Sequence, residues 1–163
     1  MSNRRRAREL AMQVLFLWDT HGGSDPLLAA QVGMDDSGLD DETRREGLRM
    51  ASEAWEAREA MDKWIERLAP QWPPRRQPGV DRSILRLAAW ELTAGQTPPK
   101  VVIDEAIELA KSFSTEQSPG FVNGVLDALL REHQEMTKGS GVRVQGSGTA
   151  PTDAPSSSLN PEP

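Results

Sequence analysis

Four arginines lie within the first eight residues of the chain, in the stretch RRRARELAMQVLF. On a helix, Arg4 and Arg8 stand one turn apart, and Arg5 is also a neighbour of Arg8. Guanidinium groups bind phosphate through paired hydrogen bonds and stack on bases. The spacing therefore predicts an RNA-binding edge on the first helix. The alternative is a solvated chain terminus with no binding role.

A second candidate for RNA contact is Phe121, in the stretch SFSTEQSPGFVNGVLD. It falls in the first turn of a predicted helix, where free backbone N–H groups attract anions. An exposed aromatic ring there could stack on a base, an interaction of about 1–3 kcal/mol. The alternative is that Phe121 belongs to the hydrophobic core.

Catalytic chemistry finds little support in the residues. The two histidines, His21 and His133, are not in a metal-ligand pattern, and the absence of cysteine excludes thiolate nucleophiles and cysteine-based metal sites. Glu105 and Glu108 stand one turn apart, but such a pair is expected on a helix surface. We therefore expect no enzymatic activity, no catalytic residue, no cofactor and no metal.

Two other carboxylates call for structural partners. Glu91 lies between Trp90 and Leu92 on a largely apolar helix. A buried carboxylate must be paired or hydrogen-bonded, so we expect an arginine or a helix N-terminus beside Glu91. Asp81 lies at the start of the same helix, where N-terminal capping would explain it.

Charge is distributed unevenly along the 163 residues, whose net charge is −6. The segment 35–66 alone holds eleven acids and five bases, whereas Arg75, Arg76, Arg82 and Arg86 form a second basic cluster. The local field, more than the net charge, decides where a polyanion binds. The sequence contains no run of about 18 apolar residues, so it predicts no membrane helix, and we expect a cytoplasmic protein without membrane contact.

Apolar residues recur at three- and four-residue steps, which predicts an all-α fold. The long third helix is expected to bend near Glu53. Four prolines exclude a helix from PQWPPRRQPG, which we interpret as a joint between halves 1–70 and 78–137. Residues 138–163 have too few apolar groups to fold and predict a disordered tail. The predicted helices are about 4–20, 26–32, 41–68, 80–94, 101–113 and 118–137.

Four blocks identify a family: RRRARELAMQVLF, VDRSILRLAAWEL, VVIDEAIELAKSFS and FVNGVLD. In this order and at these separations, they resemble the NusB family of bacterial transcription antitermination factors. The resemblance runs from Arg4 to about Leu130 and is weakest between His21 and Trp72. It implies a helical bundle of two three-helix subdomains with a shared core, comprising residues 1–137.

The resemblance also implies a function. Members of this family pair with NusE, which is also a ribosomal protein, and the pair binds the boxA element of ribosomal RNA leader transcripts. The complex joins RNA polymerase and other Nus factors, suppresses premature termination and supports rRNA maturation.

Site residues follow from the same resemblance, position by position. Gln117 replaces an acid of the best-known member, which removes a charge that would repel phosphate. Trp90 stands where the family has tyrosine. The partner surface for NusE falls on Asp81 and Arg86. The RNA-binding positions are Arg4, Arg5, Arg6, Arg8, Glu116, Gln117, Ser118 and Phe121.

Two alternatives accompany this interpretation. The N-terminal domain of ribosomal RNA cytosine methyltransferases shares the helical signature, but this sequence has neither a methyl-donor glycine loop nor a cysteine nucleophile. The other alternative is a helical homodimeric adaptor with little RNA affinity of its own. Trp55 and Trp64 would then offer apolar surface to a second copy.

Overall fold

The computed structural model describes residues 3–36 and 38–145, with side chains to residue 138. Helices are the only regular secondary structure in these ranges, which confirms the all-α fold. None of the described helices is long and apolar enough to cross a membrane. The helices are α1 (Arg4–His21), α2 (Pro26–Asp35), α3 (Asp41–Glu56), α4 (Arg58–Leu68), α5 (Gly79–Ala94), α6 (Pro99–Phe113) and α7 (Ser118–Gln145).

Capping residues set the ends of the first helices. The Asn3 side chain accepts a hydrogen bond from the backbone N–H of Arg6 and begins α1. Gly22 ends α1 in the left-handed conformation, at φ 84°, which suits glycine. Asp25 caps α2, with Pro26 at its first position. These devices fix where α1 emerges from the bundle.

The long helix predicted for 41–68 divides four residues later than expected, at Ala57. The N-terminal half therefore contains four helices, and three follow the joint. The joint is also not wholly irregular. It contains a short 3-10 helix, Pro74–Arg76, because proline is tolerated in a first helical turn.

Helix α1 makes the most extensive contacts in the bundle and packs against α3, α5 and α2, while α3 and α5 also contact each other. Helix α5 in turn packs against α6. Both halves therefore bury apolar side chains against α1 and α5, which gives the shared core. The largest completely buried members include Leu15, Met50, Ile65, Ile84, Leu85, Leu87, Leu126 and Leu129.

Residues up to Leu129 form one compact unit, and a second begins at Leu130. The tail predicted for 138–163 remains a prediction. Its first residues continue α7 as far as Gln145, and residues 146–163 lie outside the described part of the chain.

A buried ion pair joins α1 to α5. The Nε and Nη2 atoms of Arg8 donate to the two carboxylate oxygens of Glu91 at 2.8 and 2.9 Å. Both residues are only 4% exposed. The arginine partner expected for Glu91 is thus confirmed. Arg8 itself is enclosed by the bundle, so the prediction that it contacts RNA does not fit this structure.

Helices α1 and α3 approach closely at Gly47. A Cβ atom there would lie 2.9 Å from the carbonyl oxygen of Ala7 and 2.9 Å from Cδ2 of Leu10. The first of these neighbours is backbone, which cannot rotate away. The contact therefore requires glycine for reasons of space.

We expect Gly47→Ala to separate α1 from α3 and to lower the free energy of unfolding by about 1–3 kcal/mol, as overpacked sites do. Gly124→Ala is the control, because nothing lies within 4 Å of a Cβ at that helical position. It should add about 0.5–1 kcal/mol of stability. Urea denaturation followed by circular dichroism measures both. Equal effects of the two substitutions would contradict the steric argument.

Removing Arg8 should leave Glu91 as an uncompensated buried charge. We expect Arg8→Ala to lower the free energy of unfolding by about 3–5 kcal/mol. Arg5→Ala, which removes an exposed arginine from the same helix, should change it far less. Denaturant titration of both variants checks this. A loss for Arg8→Ala no larger than for Arg5→Ala would show that the buried pair is not structural.

Candidate nucleic-acid interface

Arg5 is the most exposed of the N-terminal arginines, with 59% of its side chain accessible. Its Nε and Nη2 atoms donate to the two carboxylate oxygens of Glu105 on α6, at 3.0 and 2.8 Å. The hydrogen bond from Arg5 lowers the pKa of Glu105 from its ordinary value. Arg5 is therefore held in place by an ionised carboxylate from a different helix.

Arg4 is held in a similar way, by an acid of α3. Its Nη1 donates to Glu46 at 2.7 Å, and its Nη2 donates to the hydroxyl of Thr97 at 3.3 Å. Glu46 also accepts hydrogen bonds from Arg49, and these bonds are the largest cause of its lowered pKa. One carboxylate therefore restrains arginines from two helices.

Arg6 turns to the segment after α2. Its Nη2 donates to Asp36, and its Nε lies 3.5 Å from Glu9. The hydrogen bond from Arg6, followed by one from the backbone N–H of Gly38, lowers the pKa of Asp36. Three accessible arginines thus form the first turn of α1, the α1 edge, and each is matched by an acid from a different segment.

These pairs revise the expected electrostatics of this edge. The sequence predicts a local excess of positive charge, but tertiary structure brings Glu46, Glu105 and Asp36 to the arginines. The guanidinium groups remain partly exposed. An anionic ligand that binds here must therefore exchange with a carboxylate.

Phe121 is half-buried and lines a cavity of about 310 Å³ at the other end of α6. It thus falls between the two predicted states, core and fully exposed. Gln117 lines the same cavity and is exposed, as is neighbouring Glu116. The other lining residues are Trp72, Gln77, Pro78, Asp81, Thr115 and Ser118.

A hydrogen-bond network lies beneath this cavity. The Ser118 hydroxyl donates to the carboxylate of Asp81 at 2.9 Å, and the Ser114 hydroxyl also donates to it. Asp81 and Ser118 are 3% and 1% exposed. Direct RNA contact by Ser118 therefore does not fit this structure. Asp81 does not serve as the predicted cap, because its oxygens face the loop before α7.

Arg86, the other position predicted to face NusE, is also buried. Its Nε and Nη2 donate to both oxygens of Asp62 at 2.9 and 2.7 Å, and its Nη1 donates to Asp19 at 3.1 Å. Asp19 accepts a further bond from Arg82 at 2.6 Å. Burial opposes the charge of Arg86, but these carboxylates raise its pKa overall. Arg86 therefore ties α5 to α4 and α1.

An accessible apolar groove of about 320 Å³ lies beside these buried residues, with Val80 next to Asp81 in the chain. Phe113, which forms part of it, remains 38% exposed. The groove is accessible, whereas Asp81 and Arg86 are buried. The lining residues are Met12, Gln13, Phe16, Leu17, Val32, Val80 and Phe113.

The two candidate RNA regions are connected by α6. Glu105, the partner of Arg5, precedes Ser114 by nine residues, which corresponds to about 14 Å of helix. Ser114 and Ser118 are hydrogen-bonded at 2.9 Å beside the Phe121 cavity. A strand of about four stacked nucleotides spans such a distance.

Sequence comparison supports one family. The profile of the NusB family matches residues 5–131. The transcription antitermination protein NusB of Solibacter usitatus is 44% identical over 138 residues, which are 83% of this chain and 93% of that protein. The protein of the same name from a Roseiflexus species is 39% identical over 142 residues, which are 85% of this chain and 99% of that protein.

Solved structures agree. A NusB structure from T. maritima has a TM-score of 0.70 and 34% identity, covering 81% of this chain and 94% of its own. A crystal structure of the antitermination factors NusB and NusE in complex with dsRNA gives a TM-score of 0.72 at 28% identity, covering 79% and 96%. The matches cover about four fifths of the chain and confirm the resemblance found in its four blocks. The chain belongs to the NusB family.

Proposed function

We propose that this protein is a transcription antitermination factor, without enzymatic activity, that acts in the cytoplasm. Together with NusE it binds the boxA element of ribosomal RNA leader transcripts and supports rRNA transcription and maturation. The observation that carries the proposal is the family match over residues 5–131, which includes the arginine-rich helix. RNA polymerase and the other Nus factors are the further partners that this role requires.

The N-terminal arginines support this proposal through their placement. Arg4, Arg5 and Arg6 lie on one helix whose position is fixed by the buried pair of Arg8 and Glu91. Guanidinium groups held on a folded element lose less conformational freedom on binding than groups on a free terminus. RNA phosphates would meet a preorganised set of donors.

The carboxylate partners are compatible with RNA binding because exposed ion pairs contribute little to stability. Arg4 and Arg5 are 43% and 59% exposed, so a phosphate oxygen can take the place of the carboxylate on the same guanidinium. The exchange preserves the charge-assisted hydrogen bonds of the arginine. The displaced carboxylate stays nearby without its partner, so it opposes binding of the strand and sets the cost of the exchange.

NusE is proposed to dock on the apolar groove between α1, α5 and α6. Phe16 and Phe113 offer aromatic surface there, and Val80 places the groove next to Asp81. Asp81 and Arg86 would then support NusE binding by holding α5 in position. Neither needs to touch the partner directly.

A homodimeric adaptor remains the second candidate, since a second copy could cover the same groove. The surface first proposed for that interface is less suitable. Trp55 is 8% exposed and forms an edge-to-face contact with Trp18, with ring centroids 5.6 Å apart. Sedimentation velocity at micromolar concentration, with and without NusE, distinguishes a self-paired chain from a heterodimer.

We expect affinity for single-stranded boxA RNA to fall with salt and to rise when NusE is added. If the three accessible arginines of α1 neutralise phosphates, they should contribute about −2 to the log–log slope against salt. Gel-shift titrations between low and moderate salt measure the slope. Binding that is independent of salt, or unaffected by NusE, would count against the proposed function.

Glu105 should compete with RNA for Arg5. We expect Glu105→Gln to raise RNA affinity several-fold, because it removes the charge but keeps the size of the side chain. Asp104→Asn is the matched control: Asp104 is adjacent on α6 and lies 3.9 Å from Lys100, away from the arginines' hydrogen bonds. Filter binding at fixed salt compares the variants. An equal gain in RNA affinity from both substitutions would show that only the change in net charge matters, and would contradict specific competition by Glu105.

A further inference from the structure

We propose that the joint between the two halves is a second RNA-binding element, in which Trp72 and Phe121 enclose one unstacked base and Arg75 and Arg76 bind the adjoining phosphates. The inference rests on the proposed function, since it assumes that the protein binds single-stranded RNA. It adds Trp72, Arg75 and Arg76 to the base contact expected of Phe121. These three residues lie in a segment that the sequence predicts only as a connection between the halves.

Trp72 is the first reason. Its side chain is 55% exposed, although the segment that carries it is ordered. The next two residues, Pro73 and Pro74, are buried, and the side-chain amide of Gln77 donates to the carbonyl oxygen of Trp72 at 2.9 Å. The backbone beneath the ring is therefore fixed, while the ring itself lines the cavity that Phe121 shares. Aromatic platforms of this kind stack on unpaired bases of any identity.

The second reason is the charge of the 3-10 helix. Arg75 and Arg76 are both exposed, and neither forms an ion pair with the described residues. Arg4, Arg5 and Arg6 differ in this respect, because each has a carboxylate partner. Exposed guanidinium groups three and four positions after an exposed aromatic residue are a combination that suits a single strand.

The 3-10 helix is also firmly anchored. Arg82 donates from Nη1 to the carbonyl oxygens of Pro74 and Gln77 at 2.7 and 2.9 Å. Arg82 is held in turn by Asp19 of α1. The cations of the joint are thus carried on backbone that is tied to the same central helix as the N-terminal arginines.

Polar groups around the cavity suit the edge of a base. Gln77 lines the cavity, and its buried Oε1 has no hydrogen-bond partner among the described residues. An exocyclic amino group of a base would supply the donor that this acceptor lacks. Gln117 and Thr115 lie at the exposed rim, where they can meet the remaining polar atoms.

Size and charge favour RNA over a peptide. The cavity, about 310 Å³, is at the small end of ligand sites and suits one ring system better than a helix or strand. The carboxylate of Asp81 at its base is occupied by Ser114 and Ser118, so it does not attract a cationic side chain strongly. The exposed charges contributed by the joint itself are both positive.

The test uses the full chain and a boxA-like single-stranded RNA, with variants at the aromatic ring. Trp72→Ala should weaken binding about tenfold, the loss expected for one stacked base. Trp72→Phe should remain close to wild type, because phenylalanine keeps a stacking face. Circular dichroism confirms that both variants fold. Wild-type affinity in Trp72→Ala, while Arg5→Ala is impaired, would overturn the base site and leave the proposed function intact.

A series of RNAs, each with one abasic nucleotide, locates the base. In the wild-type protein one position should show a large loss, and Trp72→Ala should show no further loss at that position. Additive losses at every position would overturn the stacking assignment. If wild-type protein does not bind the intact RNA at all, the proposed function itself fails.

A comparison of two double variants tests the phosphate contacts proposed for Arg75 and Arg76. Arg75→Ala/Arg76→Ala should reduce the magnitude of the salt slope by about 1.4, from two lost phosphate contacts on a single strand. Arg45→Ala/Lys63→Ala removes two exposed positive charges from α3 and α4 and serves as the matched control. An identical slope change in both double variants would reject the site. Loss of NusE binding with RNA affinity unchanged would instead mark the joint as a protein-docking surface.

Discussion

The buried pair of Arg8 and Glu91 is the constraint on which the rest of this structure depends. Two charges lose their hydration in the core, and they remain tolerable only because two parallel hydrogen bonds of 2.8 and 2.9 Å satisfy both groups. That geometry permits very little sliding of α1 against α5. The pair therefore sets where the exposed arginines of the first turn emerge, and where the two halves of the bundle meet.

The accessible arginines show how an acidic protein can keep a site for an anion. Each guanidinium on the α1 edge is paired with a carboxylate from a different segment of the chain, so the resting surface is nearly balanced in charge. Such exposed pairs are weak and are screened by salt. They orient the arginines without blocking exchange. A phosphate strand that takes the place of the acids would keep the charge-assisted hydrogen bonds of the arginines, so this exchange, more than the net charge of −6, would decide binding.

The joint between the halves follows a different logic. Its prolines prevent a regular helix, so the segment folds as a short 3-10 helix whose carbonyl oxygens are held by Arg82. This arrangement leaves the Trp72 ring and two arginines outside the core. The first turn of α1 thus carries arginines that are already paired. The joint carries two exposed arginines that have no ion pair with any residue the structure describes, and they follow Trp72 by three and four positions. Helix α6 leads over about 14 Å from Glu105, the partner of Arg5, to Ser114 near the cavity that Trp72 lines.

Local signals in the sequence determined the helices and the need of Glu91 for a partner. Apolar periodicity, Asn3, Asp25 and the left-handed glycine Gly22 act within a few residues, so they can be interpreted from the chain alone. The four family blocks likewise indicated the fold and the RNA-binding class. Tertiary structure alone decided which arginine is buried and which acids neutralise the others. Arg5 and Glu105 are separated by 100 positions, and hydrogen bonding at such a separation depends on how α1 and α6 pack, which no local pattern encodes.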